Sequence, residues 1–215
     1  MSTTTMTPAE PPVLEPFAPP APTNPSGDTC WSRIYRLSVE QYDRMVEANI
    51  LAADDRVELI EGILVTKMGR NRPHIQAGNK GFRALSRLVG EGWHVRKEDP
   101  AVVSTWSKPE PDLAVIRGTI EDYNDRDVPA ADIGLAIEIA ESTLDTDRRE
   151  KMPVYAASRI PFYWIINLVD HQLEVFSEPE GREYRKAEVF SGGQDVPVIL
   201  DGAEAGLIRV ADLFP

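Results

Sequence analysis

Apolar positions along the chain change period from segment to segment. Tyr42, Met45, Val46 and Ile50 mark one helical face. Ser38 stands ahead of it as an N-cap, with Gln41 three residues on to complete a capping box, and Asp54 and Asp55 close the segment. Residues 57–66 are apolar-rich and broken at Gly62, which predicts a strand or a hairpin. Residues 75–88 predict a helix, with Ala84, Leu85 and Leu88 at helical spacing, and 93–103 predict a strand. The runs 113–116, 135–140 and 162–168 are continuously apolar, the mark of strands buried on both faces. Residues 173–176 pair with the last of these across Asp170-His171. A polar loop over 118–133 and a polar hairpin over 178–195 complete the reading, and no internal repeat is present. After the first segments the order is helix, three strands, helix, two strands. That order predicts a mixed α/β domain of the α+β kind, a central mixed sheet flanked by helices.

Composition divides the chain. Eight of its 18 prolines lie between Pro8 and Pro25, so residues 1–29 are expected to be a disordered, partly polyproline tail, followed by one domain over 30–215. The sole cysteine, Cys30, excludes an intramolecular disulfide framework and a multi-cysteine zinc site. With only three histidines, any metal should be held by carboxylates, which favours hard ions such as Mg²⁺ or Mn²⁺. The longest apolar run, 160–169, is half of the roughly 20 residues a membrane span needs. No basic-then-apolar leader pattern is present, so the expectation is a soluble cytoplasmic protein without membrane contact. A net charge of −12 argues against a generic nucleic-acid coat protein.

Glu138 carries the most information. It interrupts an otherwise apolar strand, Leu135-Ala136-Ile137-Glu138-Ile139-Ala140, and an unpaired buried carboxylate costs several kcal/mol. It is therefore paired with a core arginine, turned to an exposed sheet face, protonated, or holding a cation. Asp112 opens the next buried strand, and two carboxylates on adjacent strands repel unless a cation lies between them. Lys151 shares i, i+3, i+4 spacing with Val154 and Tyr155, which turns its amine toward the sheet; the alternative is a solvated i, i+4 pair with Asp147. Pro153 leaves open whether this helix kinks or restarts. Glu58 alternates with Val57 and Leu59 and reads as part of a polar strand face, and Glu98 is a further acid on the strand before Asp112. Between Ile63 and Lys97 eight basic residues meet one acid, a local charge of +7 that leaves −19 for the rest. In that stretch Lys67, Arg70, Arg72, Lys80 and Arg83, with His74, are the candidates for contact with a phosphate backbone; a solvated helix face is the alternative.

These residues resemble a known family. Leu37-Ser38-Val39-Glu40 with Val57-Glu58-Leu59-Ile60-Glu61-Gly62, then Glu110-Pro111-Asp112-Leu113-Ala114-Val115, are similar to its opening motifs. The block Ile137-Glu138-Ile139-Ala140-Glu141-Ser142-Thr143-Leu144, with Asp147-Arg148, Lys151 and Tyr155-Ala156, continues the match as far as Tyr163-Trp164-Ile165-Ile166-Asn167-Leu168. The family is Uma-two, grouped with restriction endonucleases in the PD-(D/E)XK nuclease superfamily. The resemblance implies a restriction-endonuclease-like core, with Asp112 and Glu138 as metal-binding carboxylates and Glu58 as the acid of the first motif. The usual lysine two places after the acid is Ala140 here, and the resemblance moves that role to Lys151. Ile63, Arg159 and Phe162 depart from the family pattern without touching a proposed ligand. The expected function is a Mg²⁺- or Mn²⁺-dependent endonuclease acting on DNA, working as a homodimer because a duplex presents two antiparallel strands. The alternative is a non-catalytic nucleic-acid or protein interaction module that keeps the nuclease fold.

Overall fold

The computed structural model describes residues 34–52 and 54–215. The tail expected over 1–29, the domain start at residue 30 and Cys30 lie outside the described residues.

Helix α1 (Val39–Glu47) begins as its sequence dictates. The Ser38 hydroxyl accepts from the Gln41 N–H at 3.2 Å and the Gln41 side chain accepts from the Ser38 N–H at 2.9 Å, so both arms of the capping box form. The helix is shorter than the apolar spacing predicts. Asn49 adopts a left-handed φ of 55° and turns the chain, which leaves Val46 and Ile50 exposed. Strands β1 (Val57–Ile60) and β2 (Ile63–Thr66) form the antiparallel hairpin. Its two turn residues, Glu61 and Gly62, both have positive φ, the geometry that matches strand twist. A Cβ on Gly62 would also stand 2.6 Å from that of Arg36.

Helix α2 (Arg72–Leu88) is capped by Asn71 and carries Pro73 in its first turn. It lays Ala77, Gly78, Gly81 and Leu85 on the sheet; at Gly81 an added Cβ would meet Leu113 at 2.7 Å, so the missing side chain sets how closely helix and sheet approach. The sheet has six strands in the order β10-β9-β8-β7-β5-β3. These are β3 (Trp93–Arg96), β5 (Leu113–Arg117), β7 (Ile133–Ala140), β8 (Phe162–Asn167), β9 (Gln172–Glu180) and β10 (Glu183–Ser191). Only β7 and β8 run parallel, which makes the sheet mixed, as predicted. Every residue of β7 is buried, because both faces of the sheet are covered. One face packs Leu113, Ile137, Ile139, Trp164 and Ile166 against α2 and the C-terminal hairpin; the other packs Ala136, Tyr163 and Ile165 against Tyr155.

The crossover joining the two parallel strands consists of α3 (Leu144–Thr146), a wide π-type turn (Asp147–Lys151) and α4 (Met152–Ala157). The wide turn resolves the question posed by Pro153. The proline lies in the first turn of α4, where its absent N–H is not missed.

Three expectations need correction. The strand predicted over 93–103 is broken: β3 ends at Arg96, the chain turns through Glu98 (φ 58°), and Ala101–Val102 (β4) pairs in parallel with Val128–Pro129 (β6). The Glu98 N–H donates to the Asp112 carbonyl at 3.2 Å, so Glu98 sits in this turn and not on a strand. The polar hairpin over 178–195 is the outer part of a longer one, because β9 and β10 extend from Gln172 to Ser191. Finally, β11 (Asp195–Leu200) and β12 (Ala203–Arg209) form a hairpin absent from the sequence reading, and it buries Val196, Val198, Leu200 and Ile208. No described helix is long and apolar enough to cross a membrane.

Candidate active site

Each acid reaches the site from a different element. Glu138 comes from the middle of β7 and Asp112 from the residue just ahead of β5. The antiparallel register, with Leu113 opposite Ile137, brings the two to neighbouring strand positions. Asp112 is fixed by the backbone: its Oδ2 accepts from the Ile139 N–H at 2.7 Å and lies 3.2 Å from His74 Nε2. Glu58 sits on β1, and its Oε2 accepts from the Glu110 N–H at 3.0 Å. Alternation predicted a polar strand face for Glu58. Instead the face opposite Leu59 turns into the site, and Glu58 is only 3% exposed.

Lys151 joins two of these acids. Its ammonium lies 3.0 Å from Glu58 Oε1 and 3.2 Å from Glu138 Oε1. The Tyr155 hydroxyl donates to the same Glu138 oxygen at 2.9 Å. Glu138 Oε1 thus takes two donors, and Oε2 has no hydrogen-bond partner among the described residues. Asp147 is also buried and accepts from the Thr143 hydroxyl at 2.7 Å. The solvated Lys151–Asp147 pair is therefore not what forms, because the wide turn carries both side chains inward.

One ammonium among four carboxylates leaves the site short of positive charge. Burial pushes the Glu138 carboxyl well above the usual range; Lys151 opposes that rise, while Asp112, Asp147 and Glu58 add to it. Lys151 itself is pulled down by burial, but Glu138, Glu58, Asp147 and Asp112 more than offset this and raise it. Asp147 is pushed up to about 6, by burial first, against the lowering effects of Lys151 and the Thr143 hydrogen bond.

That last shift has a measurable consequence. The folded state holds the Asp147 proton more tightly than the unfolded chain does. The associated stability is complete below the ordinary aspartate range and is lost as pH rises to about 6, a total of about 3 kcal/mol. Asp147→Asn should remove this slope and unfold at higher urea than wild type at neutral pH, in metal-free protein. Parallel stability-against-pH curves for the two proteins would refute this account.

The acids open into a cleft of about 910 Å³. Of the basic residues singled out in the sequence, Lys67, Arg70 and His74 line it, whereas Arg72, Lys80 and Arg83 do not. The latter three lie on α2, with Arg72 and Arg83 exposed and Lys80 donating to the Phe214 carbonyl. At the cleft Lys67 pairs with Glu110, and Arg70 pairs with Glu98. Sequence reasoning missed Arg56 and Lys108 on the same lining. Lys108 is buried and bonds Asp43 at 2.8 Å and Asp127 at 2.9 Å.

Among the described residues, no three His, Cys, Asp or Glu side chains form a ready metal cage. The donor set nonetheless fits Mg²⁺ or Mn²⁺. Mg²⁺ commonly takes one or two carboxylates and completes its shell with waters, and here Asp112 and Glu138 each keep an oxygen without a partner among the described residues, in a site of net negative charge.

A family described as "Putative restriction endonuclease", Uma2, matches residues 39–208. No curated protein matches the chain. Among solved structures, the chain is similar to that of "a putative nuclease belonging to DUF820 from Anabaena variabilis ATCC 29413", with a TM-score of 0.62 and 16% sequence identity. That match covers 83% of this chain and 97% of the other. The structural likeness shows the fold, and the family match spans most of the sequence: this chain belongs to the Uma2 family, described as "Putative restriction endonuclease".

Proposed function

We propose that the protein is a divalent-metal-dependent endonuclease that hydrolyses phosphodiester bonds in DNA, with Asp112 and Glu138 holding the metal. The observation that supports this reading is the charge imbalance at the cleft floor, four carboxylates and one ammonium, with an oxygen of Asp112 and one of Glu138 left without donors among the described residues. Bound there, Mg²⁺ or Mn²⁺ would supply activation of water and neutralisation of phosphate charge. Lys151, held between Glu58 and Glu138, offers a fixed positive charge to a phosphate oxygen entering beside it. Glu58 orients that ammonium. Tyr155 and Lys151 together occupy one oxygen of Glu138 and so direct the other outward. Lys67, Arg70 and His74 at the lining would contact the DNA backbone, exchanging their own carboxylate partners for phosphates. A twofold homodimer would present one such cleft to each strand of a duplex.

The test uses full-length protein with supercoiled plasmid and single-stranded DNA, with Mg²⁺, Mn²⁺ or a chelator. Cleavage should need the metal and fall steeply with salt, because phosphate contacts release counterions. A protein that binds DNA but cleaves neither substrate with either metal is an interaction module on a nuclease fold. The net charge of −12 and the paired cleft cations are what favour that second reading.

A further inference from the structure

Behind the site lies a second ion pair, its acid buried and its arginine half-exposed. Glu174 on β9 is 4% exposed. It receives a forked pair of hydrogen bonds from Arg148, Nε to Oε2 at 2.9 Å and Nη2 to Oε1 at 2.5 Å. The Asn167 amide, itself fully buried, donates to Glu174 Oε1 at 2.8 Å. The Asn167 carbonyl oxygen accepts from the N–H groups of Val169 and Asp170, each at 3.0 Å, and so fixes the β8–β9 turn.

The register ties this pair to the acids. Glu138 is opposite Ile165, and Ile165 is opposite Glu174, so both carboxylates stand in one row across the sheet on the same face. Their cationic partners, Lys151 and Arg148, lie three residues apart on the wide turn. The turn is therefore moored to the sheet by both ion pairs, one in the site and one outside it, and by the Tyr163 hydroxyl, which donates to the Asp147 carbonyl at 3.2 Å. π-type turns are rare and occur mostly as single turns, frequently at functional sites; this one is tied to the sheet through Arg148 and Lys151.

We propose that Arg148 and Glu174 are positioning residues for this reaction: their pair holds the wide turn in the place that sets Lys151 between Glu58 and Glu138. The inference rests on the nuclease reading of the site. A forked guanidinium–carboxylate pair fixes direction as well as distance, which a lysine at position 148 would not reproduce. Neither side chain needs to touch substrate.

The experiment compares wild type, Glu174→Gln and Arg148→Lys as full-length proteins. Arg148 is 39% exposed on its outer side, so the lysine variant keeps a fold should the buried glutamine not. In metal-free protein, amide hydrogen exchange over residues 144–157 should speed up in Glu174→Gln, less so in Arg148→Lys, with the other strands unchanged. With Mn²⁺, kcat should fall by up to about 100-fold in Glu174→Gln, the cost of a misplaced group, and recover partly in Arg148→Lys. KM, and the affinity and stoichiometry of Mn²⁺ binding, should stay at wild-type values, which separates misplacement from a loss of folded protein. Unchanged exchange over 144–157, or a rate loss that tracks lost Mn²⁺ stoichiometry, overturns the proposal. If wild type itself cleaves nothing, the nuclease reading fails on its own, and the exchange result alone decides whether the pair moors the turn.

Discussion

Glu138→Gln should abolish cleavage and at the same time make the metal-free protein harder to unfold. The two effects share one cause. Glutamine keeps the shape of Glu138 and can still accept from Lys151 and Tyr155, but it removes a buried negative charge that burial and three neighbouring acids disfavour. Burial and the neighbouring acids disfavour the charged form of Glu138 in the folded state, so a neutral isostere should gain stability over the carboxylate. Activity goes the other way, because the charge is what a metal would need. A loss of at least about 10³-fold, or ~4 kcal/mol of transition-state stabilisation, is expected, and Asp112→Asn should match it. Urea unfolding with chelator and single-turnover cleavage with Mn²⁺ give both readouts on one preparation. A Glu138→Gln protein that is less stable than wild type, or that cleaves at the wild-type rate, would sink the assignment.

The opposite sign is expected at Lys151. Replacing it with methionine leaves Glu58 and Glu138 buried with their shared cation gone, and breaking a buried pair from one side costs about 3–5 kcal/mol. Against a typical total of about 5–15 kcal/mol that is a large fraction of stability. The double variant Lys151→Met with Glu58→Gln should recover part of the loss, because it removes one of the stranded charges. Mn²⁺ affinity should persist in Lys151→Met, since a charged amine has no lone pair to give a metal, while the cleavage rate falls. Melting curves unaltered by Lys151→Met would show that the ammonium is not the counter-charge described here.

Some of this was legible in the sequence, for physical reasons. A carboxylate inside a run such as Leu135–Ala140 must be reconciled with burial, so Glu138 announces itself, and Asp112 follows from the start of the adjacent apolar run. The capping box at Ser38 and the break at Gly62 are local chemistry and read directly. Glu58 was harder: alternation correctly gave it a face, but whether that face meets water or a cleft depends on residues far along the chain. Asp147 and Lys151 sit four apart, which on an α-helix suggests a surface pair; the wide turn changes that geometry, and nothing local signals it except Pro153. The basic stretch misleads in a similar way. Only Lys67, Arg70 and His74 reach the cleft, because α2 carries Arg72, Lys80 and Arg83 away from it. The β11–β12 hairpin did carry a local signal that the sequence reading passed over: Asp201-Gly202, both with positive φ, follows the alternating Val196, Val198 and Leu200.

The hairpin that carries Glu58 is not part of the central sheet. It is stapled to the chain just ahead of Asp112. The Lys108 N–H donates to the Leu59 carbonyl at 2.8 Å, the Gly62 N–H to the Trp106 carbonyl at 2.6 Å, and the Glu110 N–H to Glu58 itself. One acid is thus measured off from another along a ruler a few residues long. Chemistry can vary on that ruler, but its length cannot: a single residue inserted between Trp106 and Asp112 would slide Glu58 out of reach of Lys151 while every site side chain remained in the sequence. The same insertion after Gly193, in an exposed turn with open space around it, would leave the acids where they are. For anyone re-engineering this scaffold, tolerance to added length separates the segments that space the acids from those that only join strands.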